Sequence, residues 1–287
     1  MFRKAQVILI FVFAALMPTK LYAVAVNDTM SGSSPICNAS ATLNANEGET
    51  CRATPITYKV KIYEMGLCTA SPYGAAKTAN LFDTANCVVT YTDTAPVEVD
   101  IAATIGGTVQ LNGTSTPPPN GSYTHAYMLM SKDFKVSGSI TNGGGTTYYS
   151  KGSGNAPTTV AGAVEQTDSL VNFDPTSECV SGYLGATVPG GTLDGFITDF
   201  NKERGVSGDK SGGGGSVVCT THVGYVTGTM NLTTPIDVTP NTFSVAFNFL
   251  VTDAGVLWGD DGNSTKDQPD QFNNGPFMGY FTVSTSD

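Results

Sequence analysis

The chain has 287 residues, 40% hydrophobic and 13% charged, with a formal net charge of −10. That apolar content excludes wholesale disorder. An excess of 24 acids over 14 bases argues against nucleic-acid and anionic-lipid partners, which need clustered Lys and Arg. The length suffices for one large all-β domain or two small ones.

The N-terminus carries the three parts of an export signal. Arg3 and Lys4 precede an apolar run, Val7–Met17, and Ala23-Val24-Ala25 places small residues where a signal peptidase cuts. The run is too short for a stable membrane-spanning helix, so removal of residues 1–25 is expected and an uncleaved anchor is the rival. That segment holds three bases and no acid, so cleavage takes the net charge from −10 to −13 over 262 residues. No later stretch is long and apolar enough to cross a membrane.

Six cysteines follow: Cys37, Cys51, Cys68, Cys87, Cys179 and Cys219. An even number in an exported chain reads as a disulfide framework. Neighbour pairing (Cys37–Cys51, Cys68–Cys87, Cys179–Cys219) is the simplest of many connectivities. Each bridge would contribute about 3–4 kcal/mol through loop entropy. A zinc site is disfavoured, because there is no C-x-x-C and only His125 and His222 exist to complete one.

Residues 26–54 are polar and read as an irregular N-terminal arm pinned by Cys37 and Cys51. From Tyr58 the pattern alternates. Tyr58–Tyr63, Cys87–Thr92, Val97–Ile101, Thr108–Leu111, Tyr123–Phe134, Phe134–Ile140 and Thr146–Ser150 all read as strands, separated by Gly, Pro, Asn and Asp. Later, His222–Leu232, Phe243–Val251 and Phe277–Ser284 do the same. Phe243, Val245, Phe247, Phe249 and Val251 fall on one face in strict alternation.

One segment breaks this rule. Leu193, Phe196, Ile197 and Phe200 stand at i, i+3, i+4 and i+7, with Thr192 as a cap and Gly205 as a stop, the spacing of a helix. It lies between Cys179 and Cys219 and beside the Gly-rich tether Ser211–Ser216. Residues 155–218 are therefore expected to form an insertion folded over the domain and stapled at its base. The fold expected for residues 55–287 is all-β: an antiparallel β-sandwich, Greek-key or jelly-roll-like, with one short helix in that disulfide-bounded insertion.

Catalytic signatures are missing: no G-x-S-x-G, no H-E-x-x-H and no phosphate-binding loop occurs. His125 and His222 read as strand histidines. The richest constellation is the loop from Asp253 to Asn274, which holds Asp253, Asp260, Asp261, Asn263, Asp267 and Asp270, with Gly259 and Gly262 allowing tight turns. Hard oxygen ligands on such a loop suit calcium. The rival is a solvated acidic loop. Trp258, the only tryptophan, sits in the same loop. It either offers a ring face to a sugar or plugs the loop onto the sheet, and Val256 and Leu257 beside it favour the plug. Tyr123, Tyr127, Tyr148 and Tyr149 cluster near one hairpin as a candidate aromatic contact surface.

The runs Tyr58–Cys68, Cys87-Val88-Val89 and Phe134–Gly138 resemble exported β-proteins of marine Gram-negative bacteria. That resemblance covers about residues 55–140, implies export and a sandwich fold, and brings no activity or site residue with it. The expected function is that of an exported, cell-surface or extracellular, non-catalytic structural or adhesive protein that pairs with copies of itself. The alternative is a carbohydrate-binding or calcium-dependent recognition module using Trp258. A glycoside hydrolase with a carboxylate pair ranks last.

Overall fold

The computed structural model describes residues 10–12, 34–37, 49–74, 80–105, 108–151, 154–171, 183–188, 190–205, 221–260, 268–275 and 278–285. Alternation by twos sets the architecture. In chain order the strands are β1 (Ile10–Val12), β2 (Glu49–Ala53), β3 (Pro55–Val60), β4 (Ile62–Cys68), β5 (Cys87–Thr92) and β6 (Val99–Asp100). They continue as β7 (Thr108–Gln110), β8 (Thr114–Ser115), β9 (Gly121–Ser131), β10 (Asp133–Thr141), β11 (Thr147–Tyr149) and β12 (Gln166–Ser169). The last group is β13 (Tyr183–Val188), β14 (Gly191–Thr198), β15 (Tyr225–Val238), β16 (Thr242–Leu250), β17 (Val256–Asp260), β18 (Gln271–Asn274) and β19 (Met278–Thr285).

Two sheets dominate. A seven-stranded sheet runs β13-β14-β15-β9-β4-β5-β8, and a five-stranded sheet runs β11-β10-β3-β6 with β12 also on β10. Smaller ladders join β18-β17-β2, β16-β19 and β1-β7. All named ladders are antiparallel; one isolated bridge, Ile36 to Arg52, is parallel.

Two chain passes serve both large sheets. β3 runs into β4 at Lys61, and β9 runs into β10 at Lys132. The corners are tied where Ser131 N donates to Lys61 O at 2.8 Å. Sequence reading takes Tyr58–Tyr63 as one strand because the alternation continues through the corner. Both sheets feed one apolar cluster. Tyr58, Val60, Phe134 and Val136 come from the smaller sheet, and Ile62, Met65, Met128, Met130, Val226 and Ile197 from the larger. The β16–β19 ribbon adds Phe247 and Phe249 to the same cluster. The long strand expected at Phe243–Val251 is β16. Its opposite face is buried too, where Asn248 Nδ2 donates to Tyr280 O at 3.3 Å.

The expected helix is not formed. Leu193, Phe196 and Ile197 lie in strand β14, and Phe200 lies in the turn after it. A strand buried on both faces produces the same spacing. Leu193 and Ile197 enter the main core, while Phe196 packs on the other side against Tyr73 at 4.7 Å. Helical geometry among the described residues is confined to two three-residue 3-10 turns, Ala102–Thr104 and Val160–Gly162. Within the stretch expected as an insertion, β12 pairs with β10, and β13 and β14 extend the large sheet from β15.

Cys37–Cys51 and Cys68–Cys87 form disulfides with sequence separations of 14 and 19. Cys179, Cys219 and the Ser211–Ser216 tether lie outside the described residues, as do residues 1–9 and 13–25 of the expected signal. No helix among the described residues is long and apolar enough to cross a membrane.

Candidate functional site

The face of the large sheet that points away from the shared core is built from every second residue of β4, β9, β14 and β15. Register aligns these residues in rows. Asp194 pairs with Thr229 and Thr229 with Tyr127; Phe196 pairs with Thr227 and Thr227 with Leu129. One row further, Asn231 pairs with His125, and His125 with Cys68. A second apolar cluster forms there from Cys68, Tyr127 and Leu129, with Tyr63, Phe82, Cys87 and Tyr225 packed around it.

Two loops close over this face. The first connects β4 to β5 and is stapled at its base by Cys68–Cys87. It lays Phe82 edge-on to Tyr127 at 4.9 Å and Tyr73 edge-on to Phe82 at 5.4 Å. The second follows β14. Asp199 Oδ1 accepts from the N–H groups of Asn201 and Glu203, both at 2.8 Å, closing a tight turn. Lys202 completes it with φ of 65°, a left-handed conformation uncommon for a residue with a Cβ. The loops are joined where Tyr73 OH donates to Lys202 O at 3.0 Å and Arg204 N donates to Asn80 O at 2.9 Å. The Arg204 guanidinium lies 4.2 Å from the centroid of Phe196.

The centre of the site is a charged pair framed by rings. Lys202 Nζ donates to Glu64 Oε1 at 2.6 Å, and Tyr127 OH donates to the same oxygen at 2.7 Å. The Lys202 ammonium stands 5.1 Å from the Phe82 centroid and 5.9 Å from that of Tyr127. Tyr127 can lie there because residue 66 is glycine. A Cβ on Gly66 would sit 2.3 Å from Tyr127 Cε1 and 2.5 Å from Val88 O. Burial pushes the Tyr127 phenol far above its ordinary pKa, and the hydrogen bond to Glu64 and its charge add to the rise. Burial likewise raises Tyr73, against a hydrogen bond with Thr227 and the charge of Arg204. Both phenols stay protonated, so they act as donors and packing groups. Burial lowers the His125 pKa, with the nearby Asp194 charge opposing. Asp194 itself is only 4% exposed.

At the rim the rings reach solvent. Tyr63 is the extra residue of a bulge in β4, which shifts register between Ile62 and Glu64. It packs edge-on to Tyr225 at 5.1 Å, and Phe200 packs edge-on to Tyr225 at 5.8 Å. Phe200 is 66% exposed.

Of the residues selected from sequence, Tyr127 lies at the centre of this site and His125 in its rows, whereas Trp258, Asp253 and Asp260 lie in other elements. Trp258 is 0% exposed, in the middle strand of the β18-β17-β2 ladder, with Phe272 edge-on at 4.7 Å. Protein covers both its faces, and its indole N–H has no hydrogen-bond partner among the described residues. Asp253 has φ of 54°, and its carboxylate accepts from Thr54 Oγ1 at 3.2 Å. Asp260 ends β17; Asp261, Asn263 and Asp267 lie outside the described residues. Among the described residues no group of three or more His, Cys, Asp or Glu could hold a metal ion. His125 and His222 each share a hydrogen bond with the preceding threonine, at 2.9 and 3.0 Å.

Sequence reasoning gave no site role to Glu64, Lys202, Tyr63, Tyr225 or Phe200. Two signals pointed to them: the two-sided burial of β14, and the odd residue in the Tyr63-Glu64-Met65 alternation.

No family model, curated protein or solved structure matches this chain.

Proposed function

We propose that the chain is an exported, non-catalytic structural or adhesive protein that associates with copies of itself at the cell surface or outside the cell. Its fold is read as an antiparallel β-sandwich with Greek-key or jelly-roll-like crossings. Two features favour this: both large sheets share one core, and β4–β9 and β3–β10 are neighbours far apart in sequence. Cystines that persist belong to an oxidising compartment.

The observation that carries self-association is the edge strand β13. Among the described residues it pairs on one side only, with β14. Its six residues, Tyr-Leu-Gly-Ala-Thr-Val, hold no charge and no proline. Edges in natural sheets are normally blunted by such residues, and an unblunted edge pairs with another chain. The non-catalytic reading draws on how carboxylates are used. Asp100 accepts from the N–H of Tyr58 and Ala102 at 3.0 and 3.1 Å, Asp168 from Asn274 N at 2.9 Å, and Glu64 is taken by Lys202 and Tyr127.

The test is light scattering and negative-stain imaging of the mature protein across a concentration series, beside Thr187→Lys. Thr187 is an exposed residue of β13, and the lysine adds an edge charge. Ordered assemblies in the wild type that vanish in the variant support the proposal. A wild-type chain that stays monomeric at high concentration overturns it.

A second reading is a carbohydrate-binding or calcium-dependent recognition module; its carbohydrate part is favoured by the exposed Phe200 ring at the rim of the site rather than by the buried Trp258. Its calcium part is tested by melting curves with and without a chelator; an unchanged midpoint removes it.

A further inference from the structure

We propose that the Phe200–Tyr225–Tyr63 ring series on the outer face of the large sheet binds neutral polysaccharide, with pyranose rings resting on the exposed aromatic surface. The proposal concerns a different surface from the β13 edge and stands without self-association.

The first support is presentation. A phenylalanine that is 66% exposed sits on a turn with little freedom to rearrange. Its backbone is held by Asp199 Oδ1 on both sides of the tip, by Tyr73 OH on Lys202 O, and by the Lys202–Glu64 ion pair that reaches down to the sheet. The left-handed φ of Lys202 shows that this turn shape is imposed by its surroundings. Such a rigid platform loses little conformational entropy on binding.

The second support is chemistry. Tyr225 and Tyr63 continue the aromatic surface inward, edge to face, at 5.8 and 5.1 Å. Polar groups ring it. Asp133 lies close enough for its charge to act on Tyr63. Asn201 and Glu203 follow Phe200 within the same turn. Ring faces that meet C–H groups, beside carboxylate and amide groups that meet hydroxyls, match a sugar better than an all-apolar protein patch. Charge settles which sugars. A mature chain of net charge −13 repels an anionic polymer.

The experiment is affinity electrophoresis of the mature, oxidised protein in native gels containing hydroxyethylcellulose, galactomannan or laminarin, with alginate as the anionic control. Retardation by at least one neutral polymer and none by alginate is expected. Phe200→Ala is expected to weaken that binding about tenfold or more while keeping the wild-type melting temperature. Val160→Ala, 69% exposed on the 3-10 turn Val160–Gly162, is expected to bind as wild type. Migration unchanged by all three neutral polymers overturns the proposal, as does retardation that survives Phe200→Ala. A concentration-dependent dimer abolished by Phe200→Ala but not by Thr187→Lys also overturns it, by assigning this face to a second copy.

Discussion

Replacing both Cys68 and Cys87 with alanine removes the staple from the loop that covers the outer face. The bridge closes a loop with sequence separation 19. Chain-entropy reasoning assigns a loop of that length about 3 kcal/mol, through the larger ensemble open to the unfolded chain. Cys68 is fully buried, so truncating its sulfur adds about 1 kcal/mol of lost packing. With a urea m-value near 3 kcal/mol/M for a chain of this size, the midpoint is expected to fall by roughly 1 M. The effect has a local part as well. Tyr73 and Phe82 ride on this loop, and their contacts with Phe196, Tyr127 and Lys202 depend on its closure. Urea unfolding followed by near-ultraviolet circular dichroism, with limited proteolysis between residues 69 and 86, reads both parts. A midpoint within about 0.3 M of wild type and unchanged proteolysis would refute the claim that this cystine holds the β4–β5 loop in place.

Three further outcomes follow from named contacts. Gly66→Ala drives a Cβ into Tyr127 and the Val88 carbonyl and is expected to cost about 2 kcal/mol or more in urea unfolding, whereas wild-type stability would show that Tyr127 does not lie over residue 66. Trp258→Ala is expected to cost about 3–5 kcal/mol, because the ring fills the space over Phe272. Trp258→Phe is expected to cost far less, since it also deletes a buried donor that has no acceptor among the described residues; equal losses for the two variants would refute the packing role. Because burial lowers the folded His125 pKa, the unfolded chain holds that proton more tightly. The contribution is therefore full above an imidazole pKa of about 6.5 and shrinks as pH falls below it. Urea midpoints at pH 7.5 and 5.5 should differ more in wild type than in His125→Gln, and equal differences would count against it.

The strands were legible where burial is one-sided or where apolar residues alternate cleanly. Phe243–Val251 falls almost residue for residue on β16, and Cys87–Thr92 on β5. Legibility failed at β14, where Leu193 and Ile197 serve the core while Phe196 serves the outer face, so that two apolar faces mimic one helical stripe. It failed again at the corners, because nothing in the alternation marks Lys61 or Lys132 as the point where a strand changes sheet. The pairings Cys37–Cys51 and Cys68–Cys87 were legible because hairpin-scale loops favour near neighbours. The outer-face site was hidden for a different reason. Glu64 and Lys202 lie far apart in sequence and are brought together only by the strand order β14-β15-β9-β4. Trp258 drew notice as the single tryptophan, although a large ring in a short apolar strand is as easily a core residue.

Thiol trapping on fractionated source cells, followed by N-terminal sequencing of the trapped chain, bears most directly on the proposal that the chain is exported and held by cystines. The expected result is a chain beginning after Ala25, outside the cytoplasmic fraction, with no thiol reacting before reduction. A full-length chain in the cytoplasmic fraction with reactive thiols at Cys68 and Cys87 would contradict it.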